Sequence, residues 1–201
     1  MRSVLRAVVA AGALTATMLV GGLAGSAAAA PSTATALRGG TTTVTTGPGI
    51  ATTLLRAGIL PLATPPGRQS FGYQRGLNTS FSFPVTGGAV DLATLAGTIS
   101  HRGGITFVNL RSGARLTVSD FVIDTAAGTL TARVDRTSTR ITVFTLDLSA
   151  ATVSAAGNTV KVGNIDVRLT AGAATALNQA LGTHVFAGGL DLGTAKTTLR
   201  V

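Results

Sequence analysis

From Thr79 to Leu169 the chain is written in short alternating runs broken by glycine at close intervals, and that rhythm constrains the fold more than any other feature. Phe81, Phe83 and Val85 alternate with polar or small residues, as do Leu116 and Val118, Phe121 and Ile123, and Leu130, Ala132 and Val134. Val160 and Val162, then Ile165, Val167 and Leu169, complete the series. A period of two puts every second side chain on one face, so each run predicts a strand with one buried face. Gly87-Gly88, Gly103-Gly104, Ala127-Gly128, Gly157-Asn158 and Gly163-Asn164 separate the runs, at roughly the 8 to 12 residue spacing of an all-β domain. Ile141 and Val143 share one parity while Phe144, Leu146 and Leu148 share the other, which predicts a bulge or a strand buried on both faces. The fold expected is all-β, mainly an antiparallel sandwich, rather than a series of βαβ units.

Two segments break the rhythm and resemble each other. "VTTGPGIATTLLRAG" (44–58) and "VRLTAGAATALNQAL" (167–181) align so that Val44 meets Val167, Gly49 meets Gly172, Ala51 meets Ala174 and Leu54 meets Leu177. Each reads as a strand running into a short alanine- and leucine-rich helix, with proline or threonine where the first turn starts. One short helix is therefore expected near each end of the domain. The stretch 61–78, "PLATPPGRQSFGYQRGLN", reads as a long loop with a short strand near Phe71 and Tyr73.

The chain's opening residues read as an address label. Arg2 and Arg6 precede the uncharged apolar stretch from Ala7 to Leu23, and small residues follow up to Pro31. This predicts a secretory signal peptide over 1–29, a flexible lead-in over 30–40, and a single β-rich domain over 41–201. No later run reaches the roughly 20 apolar residues of a membrane span, so the mature chain is expected to be secreted without a transmembrane segment. Export permits disulfides, yet the chain has no cysteine, so its apolar core must hold the domain unaided.

The net charge is +9, and loss of Arg2 and Arg6 with the signal peptide would leave about +7. Such a field favours polyanions, and a cell-wall polymer or surface protein is one expected partner. Arg102, Arg111 and Arg115 flank one strand-turn region and Arg133, Arg136 and Arg140 another. Clusters of this kind clamp carboxylates or phosphates, or they stay solvated at sheet edges. Nucleic acid is not expected, because aromatic residues are scarce and none interleaves a basic run.

Neither an enzyme nor a metal site is expected. The chain lacks cysteine and glutamate, carries no G-x-S-x-G elbow, and its two histidines, His101 and His184, lie in no metal-ligand spacing. His101, in "GTISHRGGITF", shares strand parity with Ile99. It is either a ligand-site residue at the margin of the core or a cap on the strand end, with Gly103-Gly104 freeing the turn.

The run from Phe81 to Val134 ("FSFPVTGGAVDLATLAGTISHRGGITFVNLRSGARLTVSDFVIDTAAGTLTARV") resembles the HtaA-type domain of secreted and surface actinobacterial haem-uptake proteins. The resemblance lies in F-x-F-P, the Gly-Thr-x-x-x-His-x-Gly-Gly core, "SDFVID" and "GTLTARV". It implies a β-rich domain with short helices that binds haem through a tyrosinate, supported by a histidine that hydrogen-bonds the tyrosine. The histidine carries over to His101. The tyrosine's place in the first helix-like segment holds Leu54, Leu55 and Arg56, and the one tyrosine present is Tyr73. The resemblance thus makes haem the candidate cofactor, with His101 and Tyr73 its candidate ligands. The competing expectation is a cell-envelope structural or interaction module without a haem site, held to anionic polymers by its arginines.

Overall fold

The computed structural model describes residues 34–73, 76–135 and 137–201. The expected signal peptide lies outside them. The described chain forms β1 (Ala34–Ala36), β2 (Gly39–Thr46), α1 (Ile50–Arg56), β3 (Ile59–Thr64), β4 (Arg68–Gly72), β5 (Asn78–Asp91), β6 (Gly97–His101) and β7 (Gly104–Asn109). There follow β8 (Arg115–Asp124), β9 (Thr129–Val134), β10 (Arg140–Asp147), β11 (Thr152–Ala156), β12 (Thr159–Leu169), α2 (Ala171–Leu181) and β13 (Asp191–Arg200). The all-β class with two short helices, one near each end, is what the alternation predicts. The two helices stand where the paired strand-helix segments place them.

Every strand pairing is antiparallel, but the sheet closes on itself instead of dividing into the two layers of a sandwich. The ring runs β5, β2, β13, β12, β10, β9, β8 and β6, and β6 returns to β5 through pairs from Val85↔His101 to Val90↔Gly97. Closure leaves the inward parity of each strand as one continuous core, in which Val90, Ala132, Val167 and Leu199 are almost wholly buried.

One part of the wall forks. The C-terminal half of β8 pairs with β6, whereas its N-terminal half pairs with β7. Likewise β5 pairs with β6 through its second half and with β4 through its first. One end of the barrel is therefore closed by β6 alone, and the other by β4, β3 and β7 together. The crotch of the fork is tight: a Cβ on Gly103, whose φ is +96°, would sit 2.6 Å from the Gly67 amide nitrogen. The glycines after His101 thus serve backbone-to-backbone packing of the β6–β7 turn on the β3–β4 turn.

Three local expectations change. The stretch 61–78 is not chiefly a loop, since β3 and β4 occupy much of it. The lead-in is not without structure from residue 34 onward: β1 pairs with β5, and Leu37 is buried in the core. Glycines taken as turns at 87–88 and 163–164 lie inside the long strands β5 and β12, where the register shifts. The predicted irregularity near Val143 is a register shift between Thr142 and Phe144, which leaves both Val143 and Phe144 buried.

Candidate functional site

His101 ends β6 just inside the fork. Its parity with Ile99 points it inward, and both are 4% exposed, so the imidazole stands in the core and not at its margin. Nδ1 lies 3.3 Å from the Phe121 carbonyl oxygen, which can only accept, so Nδ1 carries the proton. Nε2 is then the acceptor for the Thr42 hydroxyl at 2.7 Å, and the Thr197 hydroxyl donates to Thr42 at 2.9 Å. The result is a directed chain, Thr197 to Thr42 to His101 to Phe121, that ties β13, β2, β6 and β8 across the interior. Burial pushes the His101 pKa from 6.5 to about 4, against the opposing effect of the Phe121 bond. The ring is neutral in ordinary buffers.

Around this chain the barrel holds a cavity of about 70 Å³. Five of the chain's seven phenylalanines line it (Phe81, Phe83, Phe107, Phe121 and Phe144), with Ile50 and Leu54 of α1 among its other walls. Phe83 and Phe121 meet edge to face at 4.8 Å. Apart from His101, the lining holds only threonine hydroxyls as polar side-chain groups. It offers shape and apolar contact, and no charge.

Tyr73 is elsewhere. It follows β4, is 80% exposed, and does not line the cavity on which His101 lies, so the two candidate ligands do not converge. Of the residues in the first helix where the resemblance expects a tyrosine, Leu54 is buried and Leu55 exposed. Among the described residues no group of three His, Cys, Asp or Glu side chains is placed to hold a metal ion. His184 lies between α2 and β13, exposed and away from His101's cavity lining.

The arginines divide. Arg140 donates to the carbonyls of Asp120 and Thr131 at 2.6 and 3.1 Å, and partial burial with Arg133 close by lowers its pKa. Arg133 forms an exposed ion pair with Asp120 at 3.7 Å. Arg111 donates to the Arg56 carbonyl at the end of α1. Arg136 lies outside the described residues. Arg102 and Arg115 are exposed, as are Arg111, Arg133 and Arg140.

Sequence patterning did not single out Thr42, Thr197 or Gln69. The threonine-rich run "GGTTTVTT" and "DLGTAKTTLR" are strands whose inward positions carry mostly small or hydroxyl side chains, so they give little hydrophobic signal.

Comparison with known proteins places this arrangement. The HtaA family matches residues 32–183. The chain belongs to the HtaA family. Its fold is similar to the crystal structure of the C-terminal domain of HtaA from Corynebacterium glutamicum: TM-score 0.55, 17% identity, 82% of this chain and 98% of that one covered. A domain-swapped dimer of a variant of that same domain matches at TM-score 0.46 and 20% identity, over 74% of this chain and 89% of the other. No curated protein matches. In this HtaA-family chain the histidine is buried in the barrel interior.

Proposed function

We propose that the chain is an exported, non-enzymatic binding module of the haem-uptake type that its family implies, and that His101 serves the barrel instead of ligating iron. Family membership across 32–183 supports the binding role. One observation carries the second half: both His101 nitrogens are engaged inside the protein, one on the Phe121 carbonyl and one on the Thr42 hydroxyl. The residues present do not fit an iron-ligated haem. Tyr73 points into solvent away from His101, and a 70 Å³ cavity falls well short of the roughly 300–1,000 Å³ of pockets for drug-sized ligands. Haem taken up by this module is accordingly held through its apolar faces and propionates, with Arg102 and Arg115 the cations free to meet carboxylates.

Titrating the mature protein with haemin tests this. The expected outcome is a Soret change that is the same in wild type, His101→Ala and Tyr73→Phe. A saturable Soret shift that either substitution abolishes would restore that residue as an iron ligand and overturn the reading.

The second reading is attachment to an anionic envelope polymer through arginine. What supports it is the exposure of Arg102 and Arg115; what weakens it is that Arg111, Arg133 and Arg140, though exposed, are already engaged by the Arg56 carbonyl, Asp120 and the Asp120 carbonyl. It requires wall retention that falls steeply as added salt shortens the Debye length below about 10 Å.

A further inference from the structure

Around the barrel, neighbouring strands are joined by backbone ladders, with one exception at the wide arm of the fork. There β3 pairs with β7 and β4 with β5, but no ladder joins β3 to β4 among the described residues. The gap is spanned by a side chain. The Gln69 amide accepts from the Ala63 N–H at 3.1 Å and donates to the Pro61 carbonyl at 3.1 Å, so one glutamine stands in for the missing ladder. A backbone turn bond, Gly67 N–H to the Thr64 carbonyl at 2.9 Å, closes the hairpin tip.

The seam lies over the cavity. Pro61, whose carbonyl Gln69 holds, is itself a cavity wall, and Gln69 pairs across the sheet with Phe81, another wall. On the same strand parity as Gln69, Phe71 and Tyr73 continue outward and are 59% and 80% exposed. An apolar aromatic path therefore runs from the surface, past a junction held by two side-chain hydrogen bonds, to a chamber walled by phenylalanine.

We propose that the β3–β4 seam is the entrance to this chamber, that Gln69 is its latch, and that the chamber takes a small uncharged planar group such as a single aromatic ring. The aromatic lining recognises a ring by edge-to-face contact, and the absence of charged side chains excludes an ion. The cavity is about 70 Å³, about half the roughly 150 Å³ of a cavity known to hold benzene. Admission therefore requires the walls to part, and the seam is where they part with the fewest bonds lost. The inference rests on reading the chain as a binding module, but it involves neither haem nor iron.

Benzene is the probe, followed by NMR through the Ile105 and Ile123 methyls and the His101 ring, with far-UV circular dichroism to confirm each variant's fold. Gln69→Ala removes both bonds and is expected to raise the benzene association rate about tenfold or more. Gln69→Glu keeps the acceptor for Ala63 but loses the donor to Pro61, and is expected to fall between wild type and Gln69→Ala. Equal rates in wild type and Gln69→Glu, or exclusion of benzene from all three proteins, would overturn the proposal. Because haemin plays no part, a negative haemin titration leaves this test intact.

Discussion

The two strand-helix units that look alike in sequence have different jobs. In the second, β12 buries Val160, Val162, Ile165, Val167 and Leu169, and α2 is fastened at both ends. Thr170 caps its first turn by accepting from the Ala173 N–H, Gly182 ends it at φ 60°, and the Asn109 amide donates to the Leu181 carbonyl at 2.8 Å. In the first, β2 sends a threonine into the core, and α1 is seven residues long, with Gly49 at φ 82° and no side-chain cap. The helix that is packed and capped braces the barrel against β7, β8 and β10. The one that is short and uncapped covers the cavity. A common strand-helix pattern therefore divides into a brace and a cover, according to what each strand buries and how each helix ends.

The contrast is sharpest in the cores beneath the helices. Leu181 is 0% exposed, and Leu181→Ala is expected to cost about 3 to 4 kcal/mol, because packed neighbours cannot close the hole. Leu54→Ala on α1 is expected to cost about 2 kcal/mol, because Leu54 already borders empty space. Chemical denaturation of both variants measures the gap, and equal losses would erase the distinction between brace and cover.

The polar join at β2 makes the next prediction. His101 has a pKa of 6.5 when unfolded and about 4 when folded, so between those values the unfolded chain binds the extra proton. The stability that comes with a neutral His101 is fully present above pH 6.5, is lost as pH falls toward 4, and changes no further below that. The loss amounts to about 3 kcal/mol. His101→Phe should flatten this dependence in a series of urea midpoints from pH 7 to pH 4. An unchanged slope in the variant would mean that another group sets the acid response.

The smallest effect tests the caps. Thr170→Ala is expected to cost about 1 kcal/mol through loss of the N-cap, with the bond from its hydroxyl to the Thr142 carbonyl lost as well. A cost indistinguishable from zero by thermal melting would show that packing alone positions α2.

How much of this was legible follows from what each residue type reveals. Strands rich in phenylalanine, valine and leucine could be read from their period, down to the irregularity at Val143. Strands whose inward positions are mostly glycine, alanine or threonine, such as β13, could not, because alternation of small residues has little contrast. Glycines were ambiguous for a related reason: at Gly163-Asn164 a change of parity reads equally as a turn or as a bulge within one strand, and pairing with β13 on both sides of the shift decides for the bulge. The inward direction of His101 followed from parity with Ile99. Its partners did not, since Thr42 and Phe121 lie 59 and 20 residues away.

By itself the sequence determined the all-β class, the two helices and their places, and the face on which His101 lies. These are local properties, set by side-chain alternation and helix-start chemistry within a few residues. Only the tertiary structure decided that the sheet closes into a barrel, that its wall forks, that Gln69 bridges the open arm, and that Tyr73 stands apart from His101. Each of these depends on which distant strands pair and in what register, and that is set by the joint burial of many inward faces at once.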